Sequence, residues 1–229
     1  TMAERSLFSA AQPFGFILFG RNCKSPEQLR KLTDQLRSAV GWHCPIMIDQ
    51  EGGRVARLRS PQWPEFPPAK YFGDQITSCG DTDNLRRDMG AMAAMLKDSG
   101  IDTNCAPVCD VLFPETHQVI GDRAYSSDPR CVAQAAAVTA EAFLNAGVQP
   151  IIKHLPGHGR ATADSHLALP VVSAAPEVLA ETDFYPFRAL ATSPIAAKLW
   201  GMVAHIVYDK IDPDLPSTLS RTVIQDVIR

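Results

Sequence analysis

Short apolar runs alternate with amphipathic helical patterns along this chain, and the alternation limits the folds that it can adopt. The apolar runs are short and typical of buried strands. Five segments are predicted to be strand or mostly extended: residues 16–19, 45–49, 101–111, 148–153 and 201–208. Helices are predicted after Ser25, from about Asp83 to Gly100, from Asp128 to Gly147, from Pro176 to about Ala191, and after Ser220.

Two of these helices carry specific sequence signals. The first has Ser25 as N-cap, Pro26 in its first turn and Gln28 at the capping-box position. The second has an apolar face formed by Leu85, Met89, Met92 and Leu96. The Pro-rich residues 61–68 are expected to form a long loop between a strand and a helix rather than a domain boundary.

The strand–helix alternation predicts an α/β fold with a parallel sheet and right-handed crossovers. A closed (β/α)8 TIM-type barrel needs eight strands and about 250 residues. The 229 residues provide about five βα units, so we expect a single domain over 1–229 that is a (β/α)8-type barrel lacking pieces at both ends. The last helix has Val223, Ile224 and Val227 on its apolar face and no stop signal before Arg229, so we expect the natural protein to continue.

Composition excludes several classes of protein. Hydrophobic residues make up 45% of the chain, enough for a real core. The net charge of −3 gives no basic excess for nucleic acid, and no apolar run approaches the ~18 residues of a membrane span. Six cysteines form no C-x-x-C pair, and Cys105 and Cys109 lack a matching second pair for zinc. Six cysteines in a chain this long are below the density of a disulfide scaffold, so we expect them to be reduced and mostly buried, which favours the cytoplasm. The N-terminus lacks a signal-peptide layout.

Polar clusters follow the predicted strands, where parallel α/β folds place their chemistry. The first cluster follows the strand at 45–49 and contains two carboxylates, two arginines and a Gly pair. Asp49 can accept hydrogen bonds from ligand hydroxyls, and Arg57 can donate to Asp49 or to an anion. The second cluster spans residues 104–110, with Arg123 in the loop behind it as a ligand donor or a partner in a surface salt bridge.

The third cluster is the densest, with three histidines, a lysine, an arginine and an aspartate within residues 153–166. Pro156, Gly157 and Gly159 exclude a regular helix, so a loop is predicted. Asp164 lies two residues before His166, a spacing that lets the carboxylate hold one imidazole nitrogen and leave the other free. Such a pair can act as an acid and base near neutral pH. The fourth candidate, His205, interrupts an apolar strand, where a lone histidine is more often a satisfied core residue.

Ordered motifs in these clusters resemble the signature segments of glycoside hydrolase family 3, in particular its bacterial β-N-acetylhexosaminidase branch. The central segments are IDQEGGRV at 48–55, KHLPGHG at 153–159 and DSH at 164–166. The supporting segments are FILFGRN at 16–22, APVCDV at 106–111 and AHIVY at 204–208. The similarity covers nearly the whole chain.

The resemblance implies a (β/α)8 barrel and removal of terminal β-linked N-acetylglucosamine from peptidoglycan fragments, in cytoplasmic cell-wall recycling. His166 is then the general acid and base, paired with Asp164. The residues implied to hold the sugar are Asp49, Arg57, Arg123, Lys153 and His154, with His205 as an additional candidate. The implied partner is a small carbohydrate or muropeptide, with no cofactor, metal, nucleic acid or membrane, and the protein is expected to be a monomer or weak dimer.

The implied mechanism is a retaining two-step displacement, in which a carboxylate attacks the anomeric carbon and His166 protonates the departing oxygen. In a phosphorolytic variant of the second step, phosphate replaces water. A neutral imidazole repels phosphate less than a carboxylate would, so this variant is an alternative to hydrolysis. The family's nucleophile is an Asp in a segment resembling Ser-Asp-Asp, and no residue matches it. We therefore expect the nucleophile beyond Arg229 and no hydrolysis by residues 1–229 alone.

Three other functions fit parts of the pattern. A metal-dependent hydrolase would use His154, His158 and His166. A Schiff-base aldolase would use Lys153 at a strand end. Both leave the segment around Asp49 without a role. A non-catalytic sugar-binding module fits the missing nucleophile.

Overall fold

A computed structural model describes residues 1–163 and 168–229 as layers of helices around a parallel sheet. The strands are β1 (Phe16–Leu18), β2 (Ile46–Ile48), β3 (Thr103–Asn104), β4 (Gln149–Leu155), β5 (Val171–Val172), β6 (Trp200–Val203) and β7 (Val207–Tyr208). The helices are α1 (Met2–Ala11), α2 (Pro26–Val40), α3 (Ala69–Cys79), α4 (Asp83–Asp98), α5 (Pro129–Asn145), α6 (Pro176–Glu181) and α7 (Tyr185–Ala191). A π-helical turn covers Val223–Ile228.

The main sheet has five parallel strands in the order β1-β2-β3-β4-β6. Its first four strands lie side by side in sequence order, as consecutive βα units place them. The registers align the strand ends: Leu18 is opposite Ile48, and Ile48 is opposite Asn104. The predicted α/β class and parallel sheet are confirmed.

Ser25 caps α2 and Pro26 begins it, as predicted, but the capping box is not formed with Ser25 itself. Ser25 Oγ accepts a hydrogen bond from the Gln28 N–H at 3.2 Å, while the Gln28 side chain accepts from the N–H of Lys24, one residue before the N-cap. The predicted apolar face of α4 is buried at all four positions. Gly100 follows α4 with a φ of +80°, a left-handed conformation that ends a helix without strain.

Two predicted segments are interrupted. Residues 201–208 were expected to form one strand, but β6 pairs with β4 and β7 pairs with β5, so the strand breaks at residues 204–206. Residues 176–191 form two short helices, and Asp183 is buried at the break between them. Regular pairing in residues 101–111 is confined to β3 and a bridge between Val108 and Lys153.

Helices α1 and α3 were not predicted. Residues 61–68 form a loop without helix or strand, as expected. Four cysteines are buried, Cys23 is half-buried and Cys79 is exposed, and all six are free thiols as predicted. None of the helices in the described part of the chain is both long and apolar enough to cross a bilayer.

Candidate active site

A lysine on β4 lies between two carboxylates from the loop after β2. Lys153 Nζ is 2.9 Å from Asp49 Oδ1 and 2.5 Å from Glu51 Oε1. The Lys153 side chain is only 2% exposed. The sheet therefore brings the first and third polar clusters together, as their positions at strand ends predicted.

Arg123 joins this network by a two-point contact with Glu51. Its Nε donates to Glu51 Oε2 at 2.8 Å and its Nη2 to Glu51 Oε1 at 2.9 Å. Because both side chains are nearly buried, the alternative of a surface salt bridge is wrong. Sequence reasoning gave Glu51 no role of its own, although its place two residues after Asp49 is the signal that could have shown one.

Arg57 lies at the outer side of the network and donates to Asp49 Oδ2 at 3.2 Å. Its loop is held by the buried amide of Gln50, whose Oε1 accepts from the Arg57 N–H at 2.8 Å. The Gly pair is required here: Gly52 has a φ of +97°, and a Cβ on it would lie 2.3 Å from the Pro67 carbonyl oxygen. The unusual turn inferred from this Gly pair is confirmed.

The charges in this network are mutually reinforced. Burial raises the pKa of Asp49 and Glu51, but the Lys153 ammonium and the neighbouring arginines outweigh it, so both carboxyl pKa values are lowered. Burial lowers the pKa of Lys153, but Glu51 and Asp49 outweigh it and raise that pKa. The lysine is therefore held as an ammonium, which disfavours the Schiff-base alternative because an aldolase lysine must lose its proton.

A second network surrounds the buried carboxylate of Asp110. Asp110 Oδ2 is 2.7 Å from His154 Nδ1, and Oδ1 accepts backbone N–H groups from His154 at 3.3 Å and His158 at 2.7 Å. Burial raises the pKa of Asp110, but the two histidines and the backbone bond lower it to about 2 overall. Asp110 therefore fixes one ring nitrogen of His154 and leaves Nε2 for a ligand. Sequence reasoning placed Asp110 in the second cluster without a role.

His158 is buried next to His154, with ring centroids 5.6 Å apart. Burial lowers the pKa of His158, although the Asp110 carboxylate opposes the effect. The imidazole is therefore biased toward its neutral form. In residues 1–163 and 168–229, no group of three or more His, Cys, Asp or Glu side chains is arranged to hold a metal ion.

Two predicted site residues, Asp164 and His166, lie outside the described residues, so their roles stay predictions. His205 is exposed, and its Nδ1 lies 2.7 Å from Thr218 Oγ1. The interpretation of His205 as a core histidine is wrong because β6 ends before it and residues 204–206 leave the sheet.

The site combines acceptors and donors in fixed charge states. Asp49 offers carboxylate oxygens, and Lys153 and Arg57 offer donors around the same space. Groups of this kind recognise the hydroxyls of a sugar, since an ionised carboxylate accepts from two hydroxyls and the cations donate hydrogen bonds.

Comparison with known proteins places this chain in a family. Residues 2–229 match the family model described as the glycosyl hydrolase family 3 N terminal domain. The chain therefore belongs to glycosyl hydrolase family 3. The resemblance seen in the sequence motifs is confirmed.

Its relatives narrow the comparison to hexosaminidases. The beta-hexosaminidase of Alkalilimnicola ehrlichii is 40% identical over 231 residues, covering 99% of this chain and 64% of the relative. The beta-hexosaminidase of Methylobacillus flagellatus is 37% identical over 219 residues, covering 94% of this chain and 60% of the relative. The chain thus spans less than two thirds of the length of these relatives.

Solved structures show the same fold. NagZ from Neisseria gonorrhoeae, in complex with N-trifluoroacetyl-D-glucosamine, is 28% identical with a TM-score of 0.89, covering 99% of this chain and 68% of that chain. A family 3 β-N-acetylglucosaminidase from Paenibacillus is 33% identical with a TM-score of 0.87, covering 96% of this chain and 41% of that one.

Proposed function

We propose that the protein to which this chain belongs is a β-N-acetylhexosaminidase that removes terminal β-linked N-acetylglucosamine from peptidoglycan fragments. The observation that carries the proposal is the contact of Lys153 with Asp49 and Glu51 at the strand ends. It builds a charged, hydroxyl-binding wall in a member of a glycosidase family. The names of the relatives support the reaction, and the N-trifluoroacetyl-D-glucosamine bound by gonococcal NagZ supports the sugar.

In this proposal the described networks hold the non-reducing sugar. Asp49 accepts from two sugar hydroxyls, while Lys153, Arg57 and Arg123 supply cationic donors. His154 presents the ring nitrogen that Asp110 leaves free. Because each of these charged side chains is held by a partner, the groups that contact the sugar need no reorganisation when it binds.

The chemistry is a retaining double displacement. A carboxylate nucleophile, expected beyond residue 229, forms a bond to the anomeric carbon as the glycosidic bond breaks. His166, oriented by Asp164, gives its proton to the departing oxygen. It then takes a proton from water, whose oxygen forms a bond to the anomeric carbon as the bond between that carbon and the nucleophile breaks. Phosphate in place of water gives the phosphorolytic variant, with a sugar 1-phosphate as product.

The proposed setting is cell-wall recycling in the cytoplasm. The proposed partner is a small carbohydrate or muropeptide, bound without a cofactor by a monomer or weak dimer. The free thiols of all six cysteines are compatible with a reducing compartment.

The test is turnover of chromogenic β-GlcNAc and β-glucoside substrates by the protein as its gene encodes it, with His166→Ala beside it. We expect turnover of β-GlcNAc alone, and a loss of about 100-fold or more in His166→Ala with a substrate that needs its leaving group protonated. Added phosphate that converts the product to a sugar 1-phosphate would select phosphorolysis. Sugar binding without any turnover would contradict the enzyme and select the non-catalytic module.

A further inference from the structure

The segment that leads to Asp164 and His166 is held along its length by the rest of the protein. This segment, residues 156–161, is called the stem below. His158 N–H donates to Asp110, Gly159 O accepts from Thr116 Oγ1 at 2.6 Å, and Ala161 O accepts from the His117 N–H at 3.1 Å. The stem therefore has a defined path up to Ala161, three residues before Asp164 in the sequence.

Glycines let the stem approach other backbone closely. A Cβ on Gly157 would lie 2.9 Å from the carbonyl oxygen of Asp183, and a Cβ on Gly159 would lie 1.8 Å from that of Val111. The stem is thus pressed against the break between α6 and α7 on one side and against residue 111 on the other. Little freedom is left for a different path.

Arg160 is the charged side chain that fastens this path. Its Nε donates to Asp183 Oδ2 at 2.7 Å, and its Nη2 donates to Thr182 Oγ1 at 3.2 Å. Its guanidinium carbon lies 3.9 Å from the centroid of the Phe113 ring. Asp183 is 1% exposed and Arg160 is 20% exposed, so the pair is largely removed from water.

A buried ion pair of this kind contributes little to the stability of the fold, because the cost of desolvation offsets much of the attraction between the charges. The pair does, however, fix an orientation, because a guanidinium that is bound by two acceptors and stacked on a ring face can point in only one direction. Arg160 precedes Asp164 by four residues. A shift of about 1 Å in a catalytic group is enough to lower a rate roughly 100-fold.

We propose that Arg160 and Asp183 form a positioning pair for proton transfer: they hold the stem in place, and the chain continues from the stem to the acid/base pair. The inference rests on the proposed function, and it assigns to these residues no contact with the sugar. The pair should therefore matter for protonating the leaving group and not for binding N-acetylglucosamine.

The test compares two substrates on the protein as its gene encodes it. The 2,4-dinitrophenyl β-GlcNAc glycoside has a leaving group that needs no proton, whereas the GlcNAc-β-1,4-GlcNAc disaccharide needs one. For Arg160→Met we expect kcat/KM on the disaccharide to fall between about 10-fold and 100-fold. On the dinitrophenyl glycoside we expect a fall of less than about 3-fold, with the inhibition constant of free GlcNAc unchanged.

A second variant and a control complete the experiment. Arg160→Lys keeps the charge and most of the packing but loses the fork, so the same substrate-dependent loss is expected at smaller size, even if Arg160→Met fails to fold. Glu181→Gln is the control: it removes an exposed ion pair, 3.6 Å long, between Glu181 on α6 and Arg188 on α7, the helices that flank Asp183. It should leave kcat/KM unchanged on both substrates.

The outcomes separate the two proposals. Equal losses on both substrates in Arg160→Lys, or no loss on either, would overturn the positioning role while wild-type turnover of β-GlcNAc upholds the proposed function. Wild type inactive on every β-GlcNAc substrate would overturn the proposed function, and the positioning role with it.

Discussion

Lys153 Nζ lies 2.9 Å from Asp49 Oδ1, although 104 residues separate the two along the chain. The contact crosses β3, which lies between β2 and β4 in the sheet. It exists because the carboxyl ends of parallel strands meet at one edge, where a long lysine side chain can reach two strands away. Together with the contact between Lys153 and Glu51, it joins the loop after β2 to β4 and defines the wall of the site.

Asp49→Asn should weaken binding of the sugar. The amide keeps the size of the side chain but removes the charge that accepts from hydroxyls and pairs with Lys153 and Arg57. We expect a 10- to 100-fold rise in KM, roughly the 1.5–3 kcal/mol of a charged hydrogen bond. Steady-state kinetics and the inhibition constant of free GlcNAc measure it.

The matched control is Asp122→Asn, which removes an exposed ion pair with Arg54 in a neighbouring loop. Its kinetics should match the wild type within about twofold. An unchanged KM in Asp49→Asn would remove Asp49 from the sugar site.

Glu51→Gln should destabilise the fold more than it alters chemistry. Glu51 is nearly buried and neutralises both Lys153 and Arg123. Without its charge, nearly buried Arg123 loses its carboxylate partner and Lys153 keeps only Asp49, and we expect a loss of about 3 kcal/mol in the free energy of unfolding. Urea unfolding followed by circular dichroism measures it.

Glu141→Gln, which loses an exposed ion pair with Arg86 at 3.5 Å, should stay within about 0.5 kcal/mol of wild type. A similar small change in Glu51→Gln would mean that the Glu51 charge is not needed in the network.

Acid should destabilise the protein through Asp110. Its pKa is about 2 in the folded state against 3.8 for a free side chain, so the ionised form is bound more tightly by the fold. This contribution is complete above the unfolded pKa and is lost as pH falls from about 4 to about 2. It amounts to roughly 2 kcal/mol.

The measurement is the free energy of unfolding of wild type and Asp110→Asn from pH 5 to pH 2. The difference between the two proteins should shrink by roughly 2 kcal/mol toward the acid end. A difference that stays constant across this range would show that Asp110 does not titrate as a buried, paired carboxylate.

Gly159→Ala should be destabilising because the new Cβ would lie 1.8 Å from the Val111 carbonyl oxygen. The backbone must move to accept it, at a cost of about 1–3 kcal/mol. Gly90→Ala in α4 is the control: a Cβ there meets nothing within 4 Å, so Ala should stabilise the helix by about 0.5–1 kcal/mol. The thermal unfolding temperature should fall for Gly159→Ala and rise for Gly90→Ala. A rise for both variants would contradict the close approach of Gly159 to Val111.

Helices α1 and α3 show where local signals were too weak. Helix α1 buries none of its residues; it is held by a capping box between Thr1 and Glu4 and by packing on α2. Helix α3 follows a Pro-rich loop and buries only Phe72, Gly73 and Ile76. A short helix with few buried positions has little periodicity to detect, so only the packed structure shows it.

The sequence by itself determined the α/β class, the strands that begin each βα unit, the apolar face of α4 and the Gly pair after Asp49. These features depend on periodicity and on backbone conformations that only certain residues adopt, which are local properties. The tertiary structure decided that Lys153 meets Asp49 and Glu51, that Asp110 serves His154 and that Arg160 meets Asp183. It also decided that β6 and β7 belong to different sheets. Those outcomes depend on strand register and on which buried charges come within reach of each other, and neither is encoded in the spacing of residues along the chain.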